Sequence, residues 1–145
     1  VNDVAISRGV YNETVVRGKK KSIKDSLIIE KLVIDGNIAV KEAPSDEKLR
    51  LKRSFGIIHG ENETIGIAIK EGCKFVITDD KKAIVVCKIL DIPFMIALDV
   101  VIDLYMNKRI SYNKAIRSFI RIRDYGWLSE KIIKNRFGKL KEVSK

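Results

Sequence analysis

Ligands for soft metals are scarce in this chain: it holds one histidine, His59, and two cysteines, Cys73 and Cys87. The cysteines do not form a CxxC pair, and a structural zinc centre needs four nitrogen or sulfur ligands, so that class is excluded. Both thiols are read as reduced, which places the expected compartment in the cytoplasm. Long apolar runs are lacking too. The longest nearly uncharged stretch, Ile92 to Met106, is interrupted by Asp99 and Asp103 and is too short to span a bilayer. No basic region followed by an apolar core opens the sequence, so secretion is not expected. Finally, there is no glycine-rich phosphate loop and no nucleophile–base arrangement, which leaves a small-molecule enzyme as the least supported class.

What is present fits one globular domain. The 145 residues are 46% apolar and 33% charged, enough for a single core and far from the composition of disordered chains. The formal charge is +10 and the pI about 9.6. Clustered Lys and Arg favour a polyanionic partner through counterion release. A basic composition rich in Ile and Lys is equally compatible with a thermophile protein that has no nucleic-acid role. Charge alone leaves both readings open.

Strand and helix alternate along the chain. "DVAISRGVYNETVV" reads as strand, turn and helix, with Val4 and Ile6 alternating and Val10, Val15 and Val16 at helical spacing. "SIKDSLIIEKLVIDG" carries an amphipathic stripe of Ile23, Leu27, Ile28, Leu32 and Val33, with Gly36 as its stop. "NIAVKEA" reads as a short strand. "ENETIGIAIKEG" follows Gly60 and places Ile65, Ala68 and Ile69 on one helical face, closed by Gly72. "CKFVITDD" has the composition of a buried strand, and "DKKAIVVCKILD" returns to helical periodicity. Beyond Pro93 a strand or loop leads into three helical segments, the second with Ser111 as N-cap. The alternation predicts an α/β fold, with a parallel sheet flanked by helices and ligands gathering at the carboxyl ends of its strands.

Five carboxylates fall at or near those strand ends. Asp79 and Asp80 close a strand and open a helix, where Asp commonly serves as an N-cap. Glu61 and Glu63 stand in the first turn of a helix, where they complement the helix dipole. Glu13 lies in the helix after the first strand and reads, alone, as a solvated side chain. Alternatively, the groups converge on one edge of the sheet. Clustered carboxylates repel unless cations neutralise them, and Mg²⁺ or Mn²⁺ bound by oxygen ligands would support in-line hydrolysis of a phosphodiester. Cap and metal ligand both stand as readings of this pattern.

The same residues resemble the PIN domains, in particular the branch of predicted nucleic-acid-binding proteins related to the toxin ribonucleases of toxin–antitoxin pairs. "ISRGVYNETV" is similar to that family's strand-to-helix segment ending in an acidic residue, here Glu13. "HGENETIGIAI" is similar to its Gly-Glu helix start, here Glu61 with Glu63 close behind. "VITDDKKA" resembles its Thr-Asp-Asp strand end, here Asp80 with Asp79 adjacent. The tail from Leu98 to Ile133, with Gly126 and Trp127, also resembles that branch. The family begins with a strand ending in Asp, and that strand has no counterpart here. Asp3 does not replace it, and the lack of an initiator Met makes a truncated sequence the expectation.

The resemblance implies a single PIN-like domain over residues 1–145, a three-layer fold with a central, mostly parallel sheet and a helical C-terminal third. It implies a metal-dependent endoribonuclease in which Glu13, Glu61, Asp79 and Asp80 hold Mg²⁺ or Mn²⁺. It further implies RNA as substrate, a small antitoxin protein as partner and a homodimer; the lack of a long apolar run adds the expectation of no membrane association. The competing reading is a catalytically inactive module of the same fold that binds nucleic acid or a partner. Of the other residues weighed, His59 reads as exposed or as a phosphate contact, and Thr78 as a strand residue or an orienting hydroxyl. Arg117 and Arg121 share a helical face suited to phosphate contact or to solvation. Trp127 reads as an anchor in the core or at a partner helix, and Lys19 to Lys21 as a solvated loop.

Overall fold

The computed structural model describes residues 4–126 and 128–145, so Asp3 and Trp127 lie outside the described residues. Strand β1 (Ala5–Ser7) passes directly into a helical run made of α1 (Arg8–Tyr11), a π-helical stretch (Asn12–Val16) and α2 (Arg17–Lys20). Ser7 starts the run, its Oγ accepting the N–H of Val10 at 3.1 Å. α3 (Lys24–Ile34), β2 (Ala39–Lys41) and α4 (Ser45–Phe55) follow, then α5 (Gly60–Glu71) and β3 (Val76–Ile77). α6 (Lys81–Ile89), β4 (Phe94–Met95), α7 (Ala97–Met106), α8 (Tyr112–Tyr125) and α9 (Glu130–Val143) complete the chain.

Local chemistry sets these boundaries. Gly56 and Gly72 end α4 and α5 in the left-handed region, at φ 66° and 60°, where a Cβ would be strained. Ser111 and Ser129 cap α8 and α9 through their hydroxyls. α4 is a helix that the periodicity reading leaves out. Its signals are Pro44 before the first turn, Asp46 and Glu47 within it, and Lys52 and Arg53 in the last turn.

The strands pair in parallel, as the alternation predicts: β1 with β2 from Ala5 opposite Ala39, and β3 with β4 from Val76 opposite Phe94. The single central sheet of a three-layer fold is not evident. Among the described residues there are two separate two-stranded sheets in a predominantly helical structure. The ladders are short, three residue pairs in one sheet and two in the other, and among the described residues no backbone bond joins the two sheets. Helix α5 touches both β1 and β3 and thereby links them.

Among the described residues two apolar clusters form the core. One gathers Leu51, Ile65, Ala68, Val76, Val86 and Cys87 around α5, and the other gathers Leu98, Ile102, Ala115, Phe119 and Leu140 between α7, α8 and α9. Phe94 packs against both. Helix α3 departs from its expected stripe. Its one buried side chain is Ser26, while Ile23, Leu27, Ile28 and Leu32 are exposed and Val33 is half-buried. Steric fit explains the inversion, because a Cβ at Gly18 would stand 2.8 Å from the Cβ of Ser26. Only a small residue enters so close a helix contact, and its hydroxyl is satisfied by the carbonyl of Ile23 at 2.6 Å.

Candidate acidic site

The first half of the site is a glycine contact. A Cβ built on Gly9 would lie 3.3 Å from the Cα of Gly60 and 2.7 Å from Oε2 of Glu63. A Cβ on Gly60 would lie 3.0 Å from Cγ2 of Val10 and 3.7 Å from Oε2 of Glu13. Helices α1 and α5 therefore meet closely at Gly9 and Gly60, and a side chain at either position would force its neighbours to shift. The contact carries the Glu13 carboxylate to Gly60, the neighbour of Glu61.

Two features of the backbone tune this corner. Glu13 lies in the π-helical stretch, whose wider turn re-aims side chains relative to a regular α-helix. His59, which precedes α5, has φ 60° and ψ −137°, a conformation costly for a residue with a Cβ. Its side chain is exposed.

The three glutamates have different surroundings. Glu63 is occupied: Oε2 accepts the N–H of Gly9 at 2.6 Å, and Oε1 lies 3.9 Å from Nζ of Lys48. It ties the start of α1 to α5. The carboxylates of Glu13, exposed, and Glu61, half-buried, have no hydrogen-bond or ion-pair partner among the described residues. These are the carboxylates left available to a ligand.

Asp79 and Asp80 both cap helices. Oδ1 of Asp80 accepts the N–H of Ala83 at 2.8 Å at the start of α6, and the Asp80 N–H donates to Oγ1 of Thr78 at 3.1 Å. Oδ1 of Asp79 accepts the N–H of Ala97 at 2.9 Å, across to the first residue of α7. Capping engages one oxygen of each carboxylate and leaves the other.

Asp99, which in the sequence stands out only as a break in an apolar run, has a structural role there. Oδ2 of Asp99 accepts the N–H of Ile96 at 3.2 Å, beside the bond made by Asp79. Oδ1 of Asp99 accepts from Nε of Arg136 at 2.6 Å, and Nη2 of Arg136 reaches Oδ2 at 3.4 Å, so α9 is fastened to the start of α7. An Asp at the third position of a helix and an Arg in an apolar stripe of another are weak signals that gain meaning only together.

Among the described residues no three His, Cys, Asp or Glu side chains stand close enough together to hold a metal ion. The structure brings Glu13 to the start of α5, and sets Asp79 and Asp80 at the end of β3. In donor chemistry the set fits Mg²⁺ or Mn²⁺, since every candidate ligand is a carboxylate oxygen and two of the groups are unengaged.

The fold thus belongs to the class of small α/β domains with acidic residues at βα junctions. A family model described as a PIN domain matches residues 1–142, and the chain belongs to the PIN domain family. No curated protein and no solved structure matches it. PIN domains have a nuclease-like fold and commonly act as metal-dependent nucleases on nucleic acid. No helix among the described residues is long and apolar enough to cross a membrane.

Proposed function

We propose that this protein is a Mg²⁺- or Mn²⁺-dependent endoribonuclease. The observation that carries the reading is the unengaged Glu13 carboxylate beside Gly60, next in sequence to the unengaged Glu61, in a PIN-family chain. Glu13, Glu61 and Asp80, with Asp79 assisting, would hold the ion or ions. A divalent ion bound there would supply Lewis-acid stabilisation of the charge that develops on the scissile phosphodiester.

The chain's own residues have the following parts. Glu63 keeps α1 against α5 and so holds Glu13 beside the start of α5. Thr78 orients the Asp80 backbone, and the cap bond to Ala83 fixes the Asp80 carboxylate in one rotamer. Lys48 offsets part of the negative charge around Glu63. No side chain is required to form a covalent bond to phosphorus.

A second reading, an inactive binding module, is favoured by the absence of a closed three-ligand group among the described residues. Titration of divalent ions separates the two: a module holds RNA with a steep salt dependence and needs no metal, whereas the nuclease cleaves only with it. Under the first reading the protein is the toxin of a toxin–antitoxin pair. A small antitoxin protein and a second copy of the chain are then its partners, and co-purification and light scattering test them.

A further inference from the structure

The net positive charge of this chain lies almost entirely at one end. Residues 107–145 carry twelve Lys and Arg against three Asp and Glu, whereas residues 1–106 carry seventeen against sixteen. The acidic site therefore sits in a nearly neutral part of the sequence. Helices α8 and α9 hold most of the excess.

On α8 that charge is ordered. Ala115, Phe119 and Ile122 turn inward against the C-terminal core cluster. Lys114, Arg117, Arg121 and Tyr125 follow at i, i+3, i+7 and i+11, which places them in one sector of the helix away from that core. At a rise of 1.5 Å per residue the row is about 16 Å long. All four side chains are exposed, and Tyr125 is 87% exposed. None of the three cations has an ion-pair or hydrogen-bond partner among the described residues. Asp124, the acidic residue of α8, is already bonded to Arg123 at 3.0 Å.

We infer that this face of α8 is a docking surface for single-stranded RNA, with Lys114, Arg117 and Arg121 on the phosphates and Tyr125 as a stacking platform for a base. Unpaired cations release counterions when they meet a phosphate backbone, and a solvent-facing aromatic ring at the end of such a row is the arrangement that stacks an unpaired base. A duplex keeps its bases stacked on each other and offers none to the ring, which is why the occupant is a single strand. The inference rests on the nucleic-acid substrate of the proposed function and is independent of its metal chemistry.

The test is fluorescence anisotropy of a labelled single-stranded RNA of mixed sequence, titrated with the Asp80→Asn protein in EDTA at several salt concentrations. With three phosphate contacts removed, the Lys114→Ala/Arg117→Ala/Arg121→Ala variant should flatten the slope of log affinity against log salt by about 2. Tyr125→Ala should leave that slope unchanged and weaken binding about tenfold or more. As a control for net charge alone, Lys20→Ala/Lys21→Ala/Lys24→Ala should bind nearly as tightly as the parent protein. Equal losses in both triple variants, unchanged binding in the α8 triple, or tighter binding of duplex than of single strand would each overturn the inference. Cleavage that persists while binding ignores α8 sinks this inference and spares the nuclease reading. Binding that depends on α8, with no cleavage at any metal concentration, does the reverse.

Discussion

Oε2 of Glu63 accepts the backbone N–H of Gly9 at 2.6 Å, and a single methyl group on Gly9 would lie 2.7 Å from that same oxygen. The two residues are fifty-four positions apart, so this bond ties α1 to α5 beside the Gly9–Gly60 contact that brings Glu13 to the start of α5. Charge-assisted bonds of this kind are stronger than neutral ones and leave a costly orphan when broken.

Gly9→Ala should therefore destabilise the fold by about 1–3 kcal/mol through overpacking. Urea denaturation followed by circular dichroism measures it. Glu63→Gln keeps an acceptor for the Gly9 N–H and should cost less than Glu63→Ala. Equal losses for the two Glu63 variants would show that the bond carries little.

The caps made by Asp79 and Asp80 separate structural from chemical roles. Asn caps a helix about as well as Asp, so Asp80→Asn should fold with unchanged stability, while Asp80→Ala should lose about 1 kcal/mol. Any nuclease activity should vanish in both. An Asn variant as unstable as the Ala variant would mean that charge, and not the cap bond, holds the start of α6.

Asp99 and Arg136 form a half-buried pair, with side chains 16% and 31% exposed. Removing one partner strands the other, and Arg136→Ala should cost about 1.5–3 kcal/mol. Asp99→Ala/Arg136→Ala should lose less than the sum of the single changes. A double-mutant cycle measures the coupling, and additivity would contradict it.

The two thiols should differ in reactivity. Cys73 is exposed and Cys87 is fully buried, and burial pushes the Cys87 thiol above its ordinary value. A thiol reagent at neutral pH should label one cysteine in the native protein and both in denaturant. A raised native value means that the folded state holds the proton more tightly. Its stabilising contribution is complete below the thiol's ordinary value and is lost as pH rises through the raised one. Denaturation midpoints against pH should fall on the alkaline side, and less so in Cys87→Ala.

Much of this architecture is legible in the sequence because it is encoded locally. Ser111, Gly72 and Asp80 act as the caps and stop their types suggest, and the parallel pairing follows from alternating strand and helix. Three things are not local. The inward turn of Ser26 depends on Gly18, which lies on another helix. The role of Asp99 depends on Arg136, thirty-seven residues away. The extent of the sheet depends on long-range ladders, and strands of two or three residues give periodicity little to read. For the site, residue types alone identify the carboxylates, but only their hydrogen bonds divide them into the unengaged pair, Glu13 and Glu61, and the tethered Glu63, Asp79 and Asp80.

The most direct test is cleavage of a mixed single-stranded RNA with Mn²⁺ present or chelated, by the protein and by its Glu13→Gln and Asp80→Asn variants, each checked for native circular dichroism. The account predicts Mn²⁺-dependent cleavage by the protein and none by either folded variant. Cleavage that survives in both variants, or that needs no divalent ion, would contradict it.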